Sequence, residues 1–191
     1  TDVIDPSGVA YQIQIDNDAG FSSPAVDQTG IVTSTYTPAG DLPEASYSWR
    51  VRAIDGAGNA GGWSVTGLFT IDLTPPAAPG LVLPANGSFT TDTTPAFDWN
   101  NSSDPSGLTY QIQADNDAAF ITPEINVSGI GSSAYTPTAA LAQGLFSWRV
   151  RATDNLGNVG PWSGAWTVTV DNIPPGMPTL LSPANASRTS D

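Results

Sequence analysis

The sequence predicts an all-β protein built from tandem β-sandwich modules, and three observations carry this prediction. The chain of 191 residues repeats itself at an offset of 99 residues, without insertion or deletion. A repeat of this length matches one sandwich domain rather than a solenoid unit. Apolar and polar residues alternate along short segments that turn residues separate, which is typical of strands. No segment shows convincing helical periodicity.

The repeat also sets the expected module boundaries. Residues 49–53 (Trp-Arg-Val-Arg-Ala) return as residues 148–152, and Pro75-Pro76 returns as Pro174-Pro175. Each Pro-rich stretch is predicted to be a stiff linker. The boundaries that follow are a partial module at 1–74 that lacks its first two strands, a complete module at 77–173, and the first strand of a third module at 176–191.

Alternation places the strands of the complete module. Tyr110, Ile112 and Ala114 are expected to face the core, with Gln111 and Gln113 on the outer face. The sixth strand repeats this pattern, with apolar residues inside and two arginines outside. Seven strands are expected in all, near residues 80–84, 95–99, 110–114, 125–127, 134–136, 146–152 and 166–170.

Two segments carry a resemblance to a known family. Residues 42–53 and the following Asp-Gly-Ala-Gly-Asn at 55–59 resemble the sixth strand and loop of fibronectin type III modules. The Asp-x-x-Pro-Pro segment at 72–76 is similar to linkers between the type III-like and Ig-like repeats of large bacterial and archaeal surface proteins. The resemblance implies seven-stranded Greek-key sandwiches. It also implies a tyrosine corner at Tyr47, whose hydroxyl bond is lost in the second module because Phe146 stands there.

Charge and composition exclude several functions. Five cations against 18 carboxylates give a net charge of −13, which disfavours nucleic acid and anionic membranes as partners. The chain has no His, Lys or Cys, so the usual groups for acid–base, Schiff-base and thiolate chemistry are missing. No apolar run approaches the length of a membrane span, so no membrane insertion is expected here. We therefore predict no enzymatic activity and no catalytic residue.

Acidic turns give one candidate site, a structural calcium ion at the junction of the modules. Sandwich topology is expected to bring together carboxylates from both modules, with Asn158 beside them; they are Asp16, Asp18, Asp72, Asp104 and Asp154. Calcium binds six to eight such hard oxygen ligands. The competing interpretation is turn formation, since Asp-Pro-Ser-Gly and Asn-Asp sequences are turn formers by themselves. We favour turns over calcium and expect no other cofactor.

Tryptophan and arginine give a second candidate, a binding surface. Trp63 and Trp162 are expected to open the last strand of each module, one strand away from two arginine pairs, Arg50 with Arg52 and Arg149 with Arg151. An exposed tryptophan can stack on a sugar ring, but stacking of arginine on the indole is favoured. The outer face that also holds Gln12, Gln14, Gln111 and Gln113 is either a lateral contact between copies or an ordinary solvated sheet face.

The function expected from these features is structural: a repeat of an extracellular or cell-surface protein that forms a rod or filament. Two alternatives stay open, an adhesive module that binds glycans or another cell surface, and a spacer in a secreted carbohydrate-active enzyme. The expected partners are neighbouring modules or identical copies, arranged head-to-tail or laterally. Strands near 178–191 are further expected to cover the open apolar face of residues 1–74.

Overall fold

A computed structural model describes residues 3–181. The chain divides into two compact units, Thr1–Thr74 and Pro75–Asp191. Both units consist of strands and loops, and no helix occurs in the described residues. No element between residues 3 and 181 therefore qualifies as a membrane-spanning helix. The predicted all-β class is confirmed.

The first unit is a single antiparallel sheet of four strands. Along the chain these are β1 (Val9–Asp16), β2 (Val26–Ile31), β3 (Ala45–Asp55) and β4 (Gly67–Ile71). Their order across the sheet is β2-β1-β3-β4. One side of this sheet carries the small cluster formed by Ile13, Ile15 and Tyr47. No second sheet packs on that side within the described part of the unit.

The second unit is a sandwich of two sheets. Its strands are β5 (Leu81–Leu83), β6 (Ser88–Thr90), β7 (Phe97–Trp99), β8 (Leu108–Asp115), β9 (Ile125–Ile130), β10 (Ala134–Tyr135), β11 (Gly144–Asp154) and β12 (Trp166–Val170). One sheet has the order β10-β7-β5 and the other β6-β12-β11-β8-β9. Alternate residues of each strand fill the space between them, as period-two patterning requires.

The core of the second unit forms where β7 packs on β8 and β11. The ring of Phe97 meets Trp148 edge-on at 5.0 Å between centroids, and Trp99 meets Tyr110 at 5.4 Å. The alternation along β8 and β11 is as predicted: Tyr110, Ile112 and Ala114 are buried, whereas Gln111 and Gln113 are less so.

Two local features differ from the strand prediction. Ser88–Thr90 forms an unpredicted strand, which pairs in parallel with β12. Three residues are too short to show a periodic pattern, so alternation gave no signal for it. Trp63 and Trp162 precede the last strand of their units rather than opening it, because β4 begins at Gly67 and β12 at Trp166.

The tyrosine corner is confirmed in the first unit. The Tyr47 hydroxyl donates a hydrogen bond of 2.9 Å to the carbonyl oxygen of Pro43. Phe146 stands at the equivalent place in the second unit, where its ring is buried without a hydroxyl group. The expected first strand of a third module, at 176–191, falls largely outside the described residues, and residues 176–181 form no strand.

Candidate functional site on the outer sheet face

Glutamine and arginine face each other across the two long strands of the first unit. Antiparallel pairing of β1 with β3 sets Gln14 opposite Arg50 and Gln12 opposite Arg52. The Arg50 Nε and Nη2 atoms donate to Oε1 of Gln14 at 3.0 and 2.7 Å, and Arg52 Nε donates to Oε1 of Gln12 at 2.7 Å. The two guanidinium planes are thus fixed by the ladder register and by these hydrogen bonds.

Aromatic rings and guanidinium groups alternate above this pair of strands. The Cζ atom of Arg50 lies 4.0 Å from the ring centroid of Phe21 and 4.4 Å from that of Trp63. Arg52 lies over the same indole at 4.5 Å. These distances are well within the range of a cation–π interaction. The result is a continuous stack, Phe21–Arg50–Trp63–Arg52, which we call the arginine–tryptophan stack.

A serine fixes the tryptophan in the stack. Ser64 follows Trp63, and its backbone N–H donates to the carbonyl of Val51 at 2.8 Å. The hydroxyl oxygen of Ser64 accepts a hydrogen bond from the Val51 N–H at 3.1 Å. The Ser64 side chain thus takes the place of a backbone acceptor and extends the pairing with β3 to residues before the start of β4. The indole is therefore held above the arginines by its neighbour's hydrogen bonds.

The acidic turn after β1 sets the other end of the stack. Phe21 has a φ of 54°, the left-handed region that bulky side chains rarely adopt. Its N–H donates to the carbonyl of Asp18 at 3.1 Å. The Asp18 carboxylate accepts the Gly20 N–H at 3.0 Å and the Ser22 hydroxyl at 2.7 Å, and these bonds lower its pKa. The turn thereby aims the Phe21 ring at Arg50.

The second unit repeats the whole arrangement. Arg149 lies 4.0 Å from the Phe120 centroid and 4.4 Å from Trp162, and Arg151 lies 4.5 Å from Trp162. Phe120 again has a positive φ, of 55°. The supporting hydrogen bonds from arginine to glutamine recur as well, as do the two hydrogen bonds between Ser163 and Val150.

One position of the repeat changes the electrostatics of this face. In the first unit both glutamine side chains donate to the carboxylate of Asp27, and in the second Gln111 donates to the amide oxygen of Asn126 at 2.7 Å. Hydrogen bonds from Gln12 and Gln14, with a smaller contribution from the two arginines, lower the pKa of Asp27. In the second unit, burial and the charge of Arg151 lower the pKa of Arg149.

The carboxylates proposed for calcium in the first unit serve as acceptors in their own loops. Asp16 is buried, and its two oxygens accept the N–H groups of Asp18 at 3.2 Å and Ser23 at 3.3 Å. Asp72 accepts the N–H of Thr74 at 3.1 Å. The bonds from Asp18 and Thr74, each two residues after its acceptor, are those of Asx turns, which the competing interpretation predicted.

The second unit shows the same pattern. Asp104 accepts the N–H and the hydroxyl of Ser106 at 2.9 and 2.7 Å. Burial acts to raise the pKa of Asp154, but hydrogen bonds from the Asn158 side chain and backbone outweigh it, so the pKa is lowered. The carboxylate oxygens of Asp104 and Asp154 lie within 4.8 Å of each other. Calcium binding by these residues stays a prediction.

Sequence reasoning named the arginines and tryptophans but missed Phe21, Phe120, Ser64 and Ser163. The available signal was the repeated Asp-x-Asp-x-x-Phe and Trp-Ser spacing, which recurs 99 residues apart. Neither pattern shows that the phenylalanine turns back onto the strand, because that depends on a positive φ. The role of this surface in binding a partner stays a prediction.

A two-sheet β-sandwich with long central strands defines the class of the second unit as an immunoglobulin-like module. Residues 84–172 match the model of the bacterial Ig-like domain family. The resemblance to bacterial Ig-like and fibronectin type III-like repeats is therefore confirmed.

A search of characterised proteins found Exoglucanase B of Cellulomonas fimi, which is 33% identical over 138 residues. The match spans 71% of this chain but only 12% of that enzyme.

The solved structures that are similar to this chain include fibronectin type III and Fn3-like modules. The chicken CNTN1 FN1-FN3 domains have a TM-score of 0.47 and 15% identity, covering 86% of this chain and 57% of theirs. The fibronectin(III)-like modules of Clostridium thermocellum CbhA have a TM-score of 0.45 and 15% identity, covering 88% and 82%. An Fn3-like protein from Clostridium thermocellum has a TM-score of 0.37 and 18% identity, covering 53% and 96%.

Proposed function

We propose that this chain is a stretch of non-catalytic structural modules that acts as a spacer in an extracellular protein. The observation that carries the proposal is the arginine–tryptophan stack, which recurs in both units with the same partners. Each indole is half-buried and contacts two guanidinium groups. A ring already engaged in this way is poorly available to stack on a sugar.

The loops support the same proposal. Loop carboxylates such as Asp16, Asp104 and Asp154 hold their own turns through backbone hydrogen bonds. Groups with this role stiffen a module, because each turn loses conformational freedom that a ligand-binding loop commonly keeps. The polar groups of the repeated surface are thus used inside the module.

The similarity to Exoglucanase B favours one kind of parent protein for the spacer, a carbohydrate-active enzyme. The aligned region is 138 residues long and makes up 12% of that enzyme. A match confined to such a small part fits an accessory segment rather than a catalytic one. We therefore place the chain, as a proposal, beside other domains of an extracellular protein, with a carbohydrate-active enzyme as the favoured context and a surface filament as the second.

Binding assays test the spacer against the adhesin. The 191-residue chain is incubated with insoluble cellulose and chitin and with a glycan array, and Trp162→Ala is the matched variant. We expect no retention of either protein. Retention of the wild-type chain that Trp162→Ala abolishes, while the variant keeps its circular dichroism spectrum, would overturn the spacer proposal in favour of adhesion.

Electron microscopy distinguishes a spacer in a carbohydrate-active enzyme from a repeat of a surface filament. Negative-stain images of the purified chain across a range of concentrations are expected to show single particles when it acts as a spacer. Ordered fibres with an axial repeat of about 40 Å would instead support the filament. This is the length expected for one module, in which about ten extended residues and a connection span the sandwich.

A further inference from the structure

Positively charged side chains are rare in this chain and lie together on the outer sheet faces. Among residues 3–181 the only cationic side chains are two arginine pairs, Arg50 with Arg52 and Arg149 with Arg151. The chain as a whole has a net charge of −13. Both arginines of the second unit are partly exposed, so a ligand in solution can reach them. The two pairs differ in how the chain compensates their charge.

In the first unit a carboxylate of the chain compensates the pair. Strand pairing sets Asp27 opposite Gln14, and Gln14 opposite Arg50. One oxygen of Asp27 accepts from Nε2 of Gln12, and the other accepts from Nε2 of Gln14 at 2.9 Å. The Oε1 atoms of the same glutamines accept from the arginines. Each glutamine amide thus links a guanidinium group to the carboxylate.

The second unit lacks this carboxylate. Asn126 stands at the position of Asp27 and lies opposite Gln113. Its single amide oxygen accepts from Nε2 of Gln111 at 2.7 Å. Its Nδ2 group is a donor, so it cannot accept a second hydrogen bond as the carboxylate does. In the part of the chain that the structure describes, Nε2 of Gln113 therefore has no acceptor, although Oε1 of Gln113 accepts from Arg149.

Arg151 also has donors that the chain does not use. A guanidinium group has five N–H donors. The Nε–H of Arg151 donates to Oε1 of Gln111 at 2.8 Å, and its terminal N–H groups donate to no acceptor within residues 3–181. Burial and the charge of Arg151 lower the pKa of Arg149, so the two positive charges act on each other. Two like charges and unused donors thus meet on one accessible face without a carboxylate of the chain.

We infer that the outer face of the second unit binds a carboxylate group of a ligand, at the place that the Asp27 carboxylate takes in the first unit. The ligand accepts a hydrogen bond from Nε2 of Gln113, and Arg149 with Arg151 supplies the compensating charge. A carboxylate suits this site because its two oxygens accept from guanidinium and amide N–H groups. Exposed charges interact weakly and are screened by salt, so weak binding is expected. The inference goes beyond the spacer role, which does not depend on it.

Titration of the 191-residue chain with sodium acetate at neutral pH tests the site. Two-dimensional proton–nitrogen NMR observes glutamine amides and arginine Nε–H groups directly. The signals of the Gln113 amide and of Arg151 Nε–H are expected to shift and to saturate, whereas the Gln14 amide stays unchanged because Asp27 already occupies it. Neutral acetamide, and sodium chloride at the same ionic strength, are expected to leave all three signals in place. Equal shifts at Gln14 and Gln113, or equal shifts with chloride and acetate, overturn the inference.

Two variants of matched size exchange the behaviour of the units. Asn126→Asp gives the second unit its own carboxylate and is expected to abolish the acetate-dependent shift of Gln113. Asp27→Asn removes the carboxylate of the first unit and is expected to create an acetate-dependent shift at Gln14. Unchanged backbone signals elsewhere verify that each variant is folded. A wild-type response of Gln113 in Asn126→Asp overturns the inference, as does the absence of a response of Gln14 in Asp27→Asn.

Sodium glucuronate and glucose distinguish two sources of the carboxylate. A small organic acid and a uronic acid of a glycan offer the same group, and both are expected to shift Gln113. Equal dissociation constants for acetate and glucuronate assign the site to the carboxylate alone. Binding of glucuronate that is at least about tenfold tighter than that of acetate assigns it to an acidic sugar. Glucose that shifts Gln113 as glucuronate does overturns the inference, because the carboxylate is then not the recognised group.

Discussion

The ring centroid of Phe120 lies 4.0 Å from the guanidinium carbon of Arg149, and Phe120 reaches this position with a φ of 55°. Phe21 and Arg50 show the same distance, with a φ of 54°. A bulky residue in the left-handed region is strained. Because the strain occurs at both equivalent positions, we infer that the contact with arginine compensates for it.

Substitutions at Phe120 separate the energy of its contact with Arg149 from the backbone strain of its positive φ. Phe120→Ala removes ring burial and the cation–π contact while keeping the unfavourable φ, and we expect it to destabilise the second unit by about 2–3 kcal/mol. Phe120→Gly removes the same contacts but relieves the strain, so it is expected to cost about 1 kcal/mol less. Hydrogen exchange with mass spectrometry measures the free energy of unfolding for each unit separately. A glycine variant less stable than the alanine variant would contradict the compensation.

Asp27 predicts a pH-dependent difference in stability. Its pKa in the folded unit is lowered from the ordinary value of 3.8 by the Gln12 and Gln14 hydrogen bonds and by both arginines. The ionised carboxylate therefore stabilises the unit above that value, and the stabilisation is lost as the pH falls through the lowered pKa. Asp27→Asn should thus be less stable than wild type at neutral pH, with the difference shrinking in acid.

The second unit supplies the complementary substitution for this prediction. Asn126→Asp places a carboxylate beside Arg149 and Arg151, so it should raise the stability of that unit at neutral pH and lose the gain in acid. Thermal unfolding between pH 7 and pH 3 checks both variants. A pH-independent difference for Asp27→Asn would contradict the prediction, because a loss that comes from the ionised carboxylate must vanish once that carboxylate is protonated.

The tyrosine corner predicts a modest loss on removal of one hydroxyl group. Tyr47→Phe deletes the hydrogen bond to the Pro43 carbonyl and leaves the ring in place. One hydrogen bond of this kind contributes about 1 kcal/mol, so the first unit should lose about that much. Hydrogen exchange near Pro43 is the measurement, and unchanged protection there would show that the ring alone holds the corner.

Equivalent valines in the two units test how far the inner face of the first unit is covered. Val150 is fully buried beneath β7, whereas Val51 is only partly buried. Val150→Ala is expected to cost about 2–3 kcal/mol and Val51→Ala about 1 kcal/mol or less. Equal losses in unit-specific hydrogen exchange would indicate that the inner face of the first unit is covered in solution.

Calcium is tested by its effect on thermal stability. The candidate carboxylates already accept hydrogen bonds within their own turns, and Asp104 and Asp154 are examples. We therefore expect the same unfolding midpoint in excess EDTA as in millimolar calcium. A midpoint that rises with calcium and falls back with EDTA would support the predicted ion, because a ligand that binds only the folded state raises its stability.

The sequence alone determined the all-β class, the strand faces and the repeat. Alternating side chains point to opposite sides of a strand, so the inward position of Tyr110 and the outward position of Arg149 follow from local pattern. The tyrosine corner at Tyr47 was expected from the family resemblance, and the carbonyl that accepts its hydrogen bond lies only four residues away, at Pro43. These features depend on neighbours close in sequence.

Only the tertiary structure decided which side chains meet on the outer face of each sheet and how far the inner face is covered. The stack joins Phe21, Arg50 and Trp63, which come from two loops and a strand and meet only after β1 pairs with β3. The exposure of Trp49 likewise depends on which strands cover it, and periodicity is identical for an open and a covered face. Long-range contacts of this kind carry no local signal, because sequence pattern reports the face of a residue and not its partner.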